Sequence, residues 1–214
     1  MDFAQARAEM VETQIVRRGV RDPAVLATMN SVPREAFVLP ELVDRAYADC
    51  ALPIAEGQTI SQPYIVAAMA AAAAIRNTDR VLEVGAGSGY AAAVISRIAA
   101  EVFAIERLDG LTSAARARLF ALGYGNIELA TGDGSGGWPE AAPFDAIIVS
   151  AGGPRVPEPL KRQLADGGRL VMPVGPSDDQ RLLRLVRQGE EFIEDDFGGV
   201  RFVALVEAGG QQDG

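Results

Sequence analysis

The 214-residue chain contains no histidine and only one cysteine. Histidine is the commonest general base near neutral pH and the commonest metal ligand. Its absence excludes Ser-His and Cys-His nucleophilic machinery and any histidine-ligated metal centre. The lone cysteine, Cys50, excludes an intrachain disulfide and fits a reducing compartment. With no histidine to activate it, Cys50 reads as a small apolar residue rather than a nucleophile. Long apolar runs are missing too. The longest, Tyr64 to Ile75, is mostly alanine and too short to cross a bilayer. The opening Met1-Asp2-Phe3 lacks the basic stretch and apolar core of a signal peptide. A cytoplasmic location is therefore expected. Positive charge is scarce: 20 Lys and Arg stand against 29 Asp and Glu, a net charge of −9. Such a balance repels phosphate backbones and anionic membranes, so neither a nucleic-acid nor a membrane partner is expected. The carboxylates show no ligand-like clustering, and no metal is expected.

What the chain does have is an ordinary globular composition, 49% hydrophobic and 23% charged. Its length fits one domain with a sizeable core. Met10, Val11, Ile15 and Val16 recur at helical spacing, and Gly19 follows as a C-cap. A second helix is expected after Asp22, with Pro23 at its first position, ending at Ser31-Val32-Pro33. Pro63 opens a third, closed by Arg76 to Asp79. From Arg80 strands and helices alternate. Strands are expected at 80–84, 101–106, 126–130, 144–150 and 168–174, and helices after the first, second and fourth. That alternation predicts an α/β fold with a doubly wound, mostly parallel sheet. Residues 181–187 and 200–206 are expected to form an antiparallel hairpin at one sheet edge. The tail from Gly209 is polar and expected to fray. The whole is predicted to be one domain: a helical N-terminal lobe over residues 1–78 and a core over residues 79–214.

Two motifs carry chemistry. The first is Val81-Leu82-Glu83-Val84-Gly85-Ala86-Gly87-Ser88-Gly89-Tyr90, a strand running through close-set glycines into a helix. This arrangement lets backbone approach a nucleotide. The dinucleotide fingerprint would need Gly or Ala where Tyr90 stands, which disfavours a pyrophosphate cradle. Glu106 ends the next strand about 20 residues on, where an acidic side chain takes ribose hydroxyls. A purely structural turn is the alternative. These residues resemble the class I methyltransferase core, which binds S-adenosylmethionine. In that family Thr131-Gly132-Asp133-Gly134 would read the adenine, although Gly-Asp-Gly is also an ordinary turn.

The second motif is Gly57-Gln58-Thr59-Ile60-Ser61-Gln62-Pro63. Its hydroxyls and amides can donate and accept hydrogen bonds but are hard to ionise. Ahead of a class I core, this stretch resembles the protein-L-isoaspartate O-methyltransferase family. Similar stretches follow the family in order: Val32-Pro33-Arg34-Glu35-Ala36-Phe37-Val38, Ala51 to Ile54, Gly137-Trp138, Gly167 to Leu170 and Val200 to Val203. Departures from the family pattern are Glu56, Gly152-Gly153 and Ala204, of which the first and last are expected to reshape the peptide-binding mouth.

The resemblance implies methylation of the free α-carboxyl of L-isoaspartyl residues in damaged proteins and peptides, by a monomer using S-adenosylmethionine. The ester then cyclises to a succinimide, whose hydrolysis partly restores aspartate. It further implies Ser61 as the catalytic residue and Thr59, Ile60 and Ser61 against the substrate. Thr59, Ser61, Gln62, Glu83, Gly85, Ala86, Gly87, Gly89, Glu106, Arg107, Gly132, Asp133 and Gly134 would hold the cofactor. Two structural alternatives stand beside these roles: Ser61 or Gln62 could cap the helix at Pro63, and Glu83 could pair with a nearby amide. Other class I methyltransferases and a non-catalytic cofactor-binding module remain rival functions. The missing base is consistent with the implied reaction. A carboxylate of this kind has a pKa of about 3.3–3.9 and is already a nucleophilic anion at neutral pH.

Overall fold

The computed structural model describes residues 2–206; the tail from Gly209 lies outside the described residues. Helix α1 (Phe3–Met10) begins at Asp2, whose carboxylate accepts the Ala4 and Gln5 amides. It runs on through one wide turn to Gly19, which stops it at φ 95. Helix α2 (Pro23–Ser31) starts the same way, with Asp22 accepting from Ala24 and Val25. A short antiparallel pair follows, β1 (Leu52–Pro53) with β2 (Thr59–Ile60). The polar segment Gly57 to Pro63 is thus partly strand. Helix α3 (Pro63–Ala72) comes next.

The core is β3 (Arg80–Val84), α4 (Tyr90–Ser96), β4 (Glu101–Glu106), α5 (Asp109–Ala121), β5 (Ile127–Thr131), β6 (Phe144–Val149), α6 (Glu158–Arg162), β7 (Leu164–Val174), β8 (Gln180–Gln188) and β9 (Glu191–Val200). Its strands form one seven-stranded sheet in the order β5-β4-β3-β6-β7-β8-β9. Strands β3 to β7 pair in parallel, and β8 and β9 add antiparallel edges. Successive connections leave β3 first toward β4 and later toward β6. The order reverses at β3, and such a reversal opens a crevice at the strand C-termini.

The hairpin differs from expectation in its second strand. The pairing strand is Glu191–Val200, whereas residues 201–206 leave the sheet. Its run of acids hid the strand, because period-2 burial is weak on an edge exposed to water. The structure supplies the missing reason. Arg184 Nη2 meets Asp195 Oδ2 at 2.7 Å and Arg181 Nε meets Asp196 Oδ2 at 2.7 Å across the pair. Opposite charges facing one another stabilise such pairing.

Both sheet faces are covered. One face packs a large apolar cluster that includes Met10, Ile15, Met29 and Phe37 from the N-terminal elements together with Tyr90, Ile95 and Leu119 from α4 and α5. The other packs Leu160 and Leu164 against Leu82, Phe144 and Met172. The N-terminal elements are further anchored by Arg34. Its buried guanidinium donates from Nε to the Ala46 carbonyl at 2.7 Å and stacks 4.9 Å from the Tyr90 ring centre. No helix among the described residues is long and apolar enough to cross a membrane.

Candidate active site

The glycine turn closes the C-terminal end of β3. Gly85, Gly87 and Gly89 take φ values of 89, 53 and 84, which favour glycine. The turn folds over the neighbouring strand, with the Gly85 and Ala86 amides both donating to the Ile105 carbonyl at 2.8 and 3.1 Å. Glu106, at the end of β4, accepts the Gly87 amide on one oxygen at 2.8 Å and the Leu108 amide on the other at 3.0 Å. The expected ribose acid therefore also ties the turn to the start of α5. The Glu106 carbonyl receives the Gly132 amide at 2.9 Å, bringing the end of β5 alongside. Gly134 presses on Val84 so closely that a Cβ there would collide with the valine. Asp133 accepts from the Ser135 amide at 2.9 Å and hydroxyl at 2.8 Å, the turn geometry of its alternative reading.

Beneath the turn, Glu83 is fully buried on β3, and neither carboxylate oxygen has a hydrogen-bond partner among the described residues. The amide pairing considered from the sequence is therefore not made. Burial, and then the charge of Glu106, push the Glu83 carboxyl well above the usual carboxylate range. Ser150 and the Ala92 backbone temper that rise without reaching normal hydrogen-bond geometry. An orphaned buried acid is expensive to keep unless a ligand completes it.

Glu83 lines a small cavity of ≈ 40 Å³ with Thr59, Ile60, Ser61, Gly85, Ala86 and Ser150. A larger open groove of ≈ 950 Å³ runs between the 59–65 segment and residues 177–180 and 199–203. Thr59, Ser61 and Ser150 line both. Ser61 makes no hydrogen bond with the described residues, and Gln62, at the N-cap of α3, makes no capping bond through its side chain. The helix-cap alternative is therefore not what the side chains do. Instead the Gln62 carboxamide donates to the Asp49 carboxylate at 2.7 Å and carbonyl at 3.1 Å. Asp49 in turn pairs with Arg18, whose guanidinium lies 4.9 Å from the Tyr64 ring centre.

The structure thus brings together, at one strand-end crevice, the glycine turn, Glu83, Glu106, Gly132 and the Thr59–Gln62 segment. Gly87, Gly89, Glu106, Gly132, Asp133 and Gly134 stand beside these cavities without lining either, and Arg107 lines neither and has an exposed side chain. Sequence reasoning missed Ser88 and Ser150, both of which line the small cavity. A signal existed for Ser150: it closes β6, beside β3 at the reversal point, and its amide donates to the Val84 carbonyl at 2.8 Å. Two of the three departures prove to be neighbours, Gly152 forming a bridge with Ala204. Glu56, at a left-handed φ of 56, lies over Gly110 on α5.

The model of the PCMT family, Protein-L-isoaspartate(D-aspartate) O-methyltransferase, matches residues 5–210. The chain belongs to this family. A Protein-L-isoaspartate O-methyltransferase of Methylorubrum extorquens is 61% identical over 213 residues, covering 99% of this chain and 93% of the relative. Among solved structures, one named protein-L-isoaspartate O-methyltransferase has a TM-score of 0.82 at 28% identity, over 94% of this chain and 65% of that one. A beta-aspartate methyltransferase (PCMT) from Plasmodium falciparum, in complex with S-adenosyl-L-homocysteine, has a TM-score of 0.81 at 25% identity, over 94% of this chain and 98% of that one. The residues present fit the family cofactor: a turn of three left-handed glycines at the strand ends, braced by the Glu106 carboxylate, and a buried Glu83 whose oxygens lack a partner among the described residues.

Proposed function

We infer that the protein methylates the free α-carboxyl of L-isoaspartyl residues in damaged proteins and peptides, with S-adenosylmethionine as donor. The observation that carries this reading is the sharing of Thr59, Ser61 and Ser150 between the small cavity and the open groove. A donor held at the glycine turn meets an acceptor held in the groove only where those hydroxyls stand. When bound, the cofactor supplies a methyl carbon on a positively charged sulfur, which leaves with the electrons of the carbon–sulfur bond.

The chain's own residues position and shield. Gly85 to Gly89 would lie against the nucleoside, Glu106 would take the ribose and Gly132 to Gly134 the base, while Glu83 would ionise once the cofactor's positive charge offsets its burial. Ser61 orients the incoming carboxylate by donating a hydrogen bond from its hydroxyl, with Thr59 and Ile60 completing that wall and Gln62 holding the segment to Asp49. Neutral donors suit the task. An anion that loses charge on reaction would be held back by an Arg or Lys clamp, which stabilises the ground state more than the transition state. Alignment in near-attack geometry can contribute up to roughly 7–11 kcal/mol. The helical lobe of residues 1–78 and the core beyond it act as one methyltransferase domain, a view supported by their common apolar cluster.

Labelled-methyl transfer to an isoaspartyl peptide and to its normal aspartyl twin tests the assignment. Labelling of the isoaspartyl peptide alone is expected. Equal labelling of both, or of neither, overturns it.

A further inference from the structure

One wall of the open groove is not part of the sheet. After β9 the chain crosses the groove rim as an irregular segment, residues 201–205, of which Arg201, Phe202 and Val203 line the groove. Two residues hold it. Gln180, buried at the start of β8, accepts the Phe202 amide on Oε1 at 2.7 Å and donates from Nε2 to the Phe202 carbonyl at 3.4 Å. Gly152 donates its amide to the Val203 carbonyl at 2.8 Å and accepts the Leu205 amide at 2.7 Å.

The two holders interlock. The three atoms nearest a Cβ on residue 152 would all belong to the Gln180 carboxamide, and the Cβ would collide with the first, so the glycine makes room for the amide that grips Phe202. Gly153 fixes the same loop to the sheet, donating to the Pro173 carbonyl at 3.2 Å and accepting from Gly175 at 2.9 Å. None of the residues from 177 to 205 lines the small cavity that holds Glu83. A change in this clasp therefore reaches the acceptor side of the site and not the donor side.

We propose that Gln180 and Gly152 form a clasp that fixes the 201–205 wall of the groove, and so act as positioning residues for the peptide that carries the isoaspartyl group. This rests on the groove being the acceptor site. The matched-peptide assay on the wild-type chain tests that separately, because failure there would show before any variant is made. With the clasp intact, the wall meets an extended peptide at a set distance from Ser61. With the clasp released, each peptide must order the wall as it binds, at the cost of its own affinity.

The test is a double-mutant cycle on Gly152→Ala and Gln180→Ala, reading KM for an isoaspartyl peptide, kcat, and cofactor Kd by calorimetry. Gly152→Ala evicts the carboxamide but leaves the backbone bonds of residue 152 in place; Gln180→Ala removes the same two bonds directly. Each is expected to raise the peptide KM about tenfold, as the loss of one to two hydrogen bonds. Cofactor Kd is expected to stay within about twofold, and the double variant to be no worse than either single one. A peptide KM that does not move, a cofactor Kd that moves as much, or effects that add, would each overturn the clasp.

Discussion

The carboxylate of Glu106 accepts the backbone amide of Gly87 at 2.8 Å, joining the end of β4 to the middle of the glycine turn. Its second oxygen accepts the Leu108 amide at 3.0 Å. One acid thus braces the glycine turn and ties it to the start of α5, the basis of its proposed cofactor role. Glu106→Ala is expected to weaken cofactor binding by about 1.5–3 kcal/mol, roughly 10- to 150-fold, since hydrogen bonds to a charged group are lost. Glu106→Gln, which retains one carbonyl acceptor, should fall between. Calorimetric titration with S-adenosylhomocysteine reads both.

Glu83 makes a pH-dependent prediction. Burial and the neighbouring Glu106 charge hold its carboxyl well above the ordinary range, so the fold binds a proton that the unfolded chain releases. Stability from this group is present in full below the ordinary Glu pKa of about 4.3, and is lost as pH rises toward the raised folded value. Glu83→Gln cannot ionise. Its melting temperature should exceed that of the ligand-free wild type by a margin that widens from pH 5 to pH 8. The same variant should bind cofactor at least about tenfold more weakly, having lost the partner of the cofactor's positive charge. A constant margin across pH would refute the assignment of the raised group.

Much of this fold was legible in the sequence, for physical reasons particular to each element. Asp22-Pro23 marks a helix start because an acid can cap the free amides that proline does not need. The run Arg80–Val84 reads as a strand because a parallel strand is buried on both faces. Strand β9 was hidden because its partners are the arginines of β8, a tertiary fact that no local pattern carries. The site was legible where backbone chemistry demands glycine and obscure where a side chain serves by position alone. Ser150 reaches the site only through the pairing of β6 with β3. Gln180 and Gly152 are 28 positions apart in the chain, and only the fold brings a missing Cβ against a carboxamide.

Stability away from the site should depend on Asp79. Its carboxylate pairs with the buried Arg169, which also donates to the Ala73 and Ala74 carbonyls at 2.8 Å and so fastens the end of α3 to β7. Asp79→Ala leaves that guanidinium buried without its counter-charge. A loss of about 3–5 kcal/mol is expected in urea unfolding, with the activity per folded molecule retained.

Ser61→Ala tests the positioning role. Loss of a hydrogen bond to a carboxylate should lower kcat/KM for the isoaspartyl peptide roughly 10- to 150-fold, or about 1.5–3 kcal/mol. Cofactor affinity should change less than about twofold. An unchanged rate would leave Ser61 as a lining residue without a catalytic part.

The central claim is that the site places an acceptor already ionised and needs no base of its own. Single-turnover methyl transfer to an isoaspartyl peptide, with cofactor saturating and labelled methyl counted between pH 6 and pH 8, tests it most directly. A carboxylate with a pKa of about 3.3–3.9 is fully charged across that range, so the rate should vary by less than about twofold. A rate climbing roughly tenfold per pH unit would mean that a proton must first be removed within the site, and would contradict the claim.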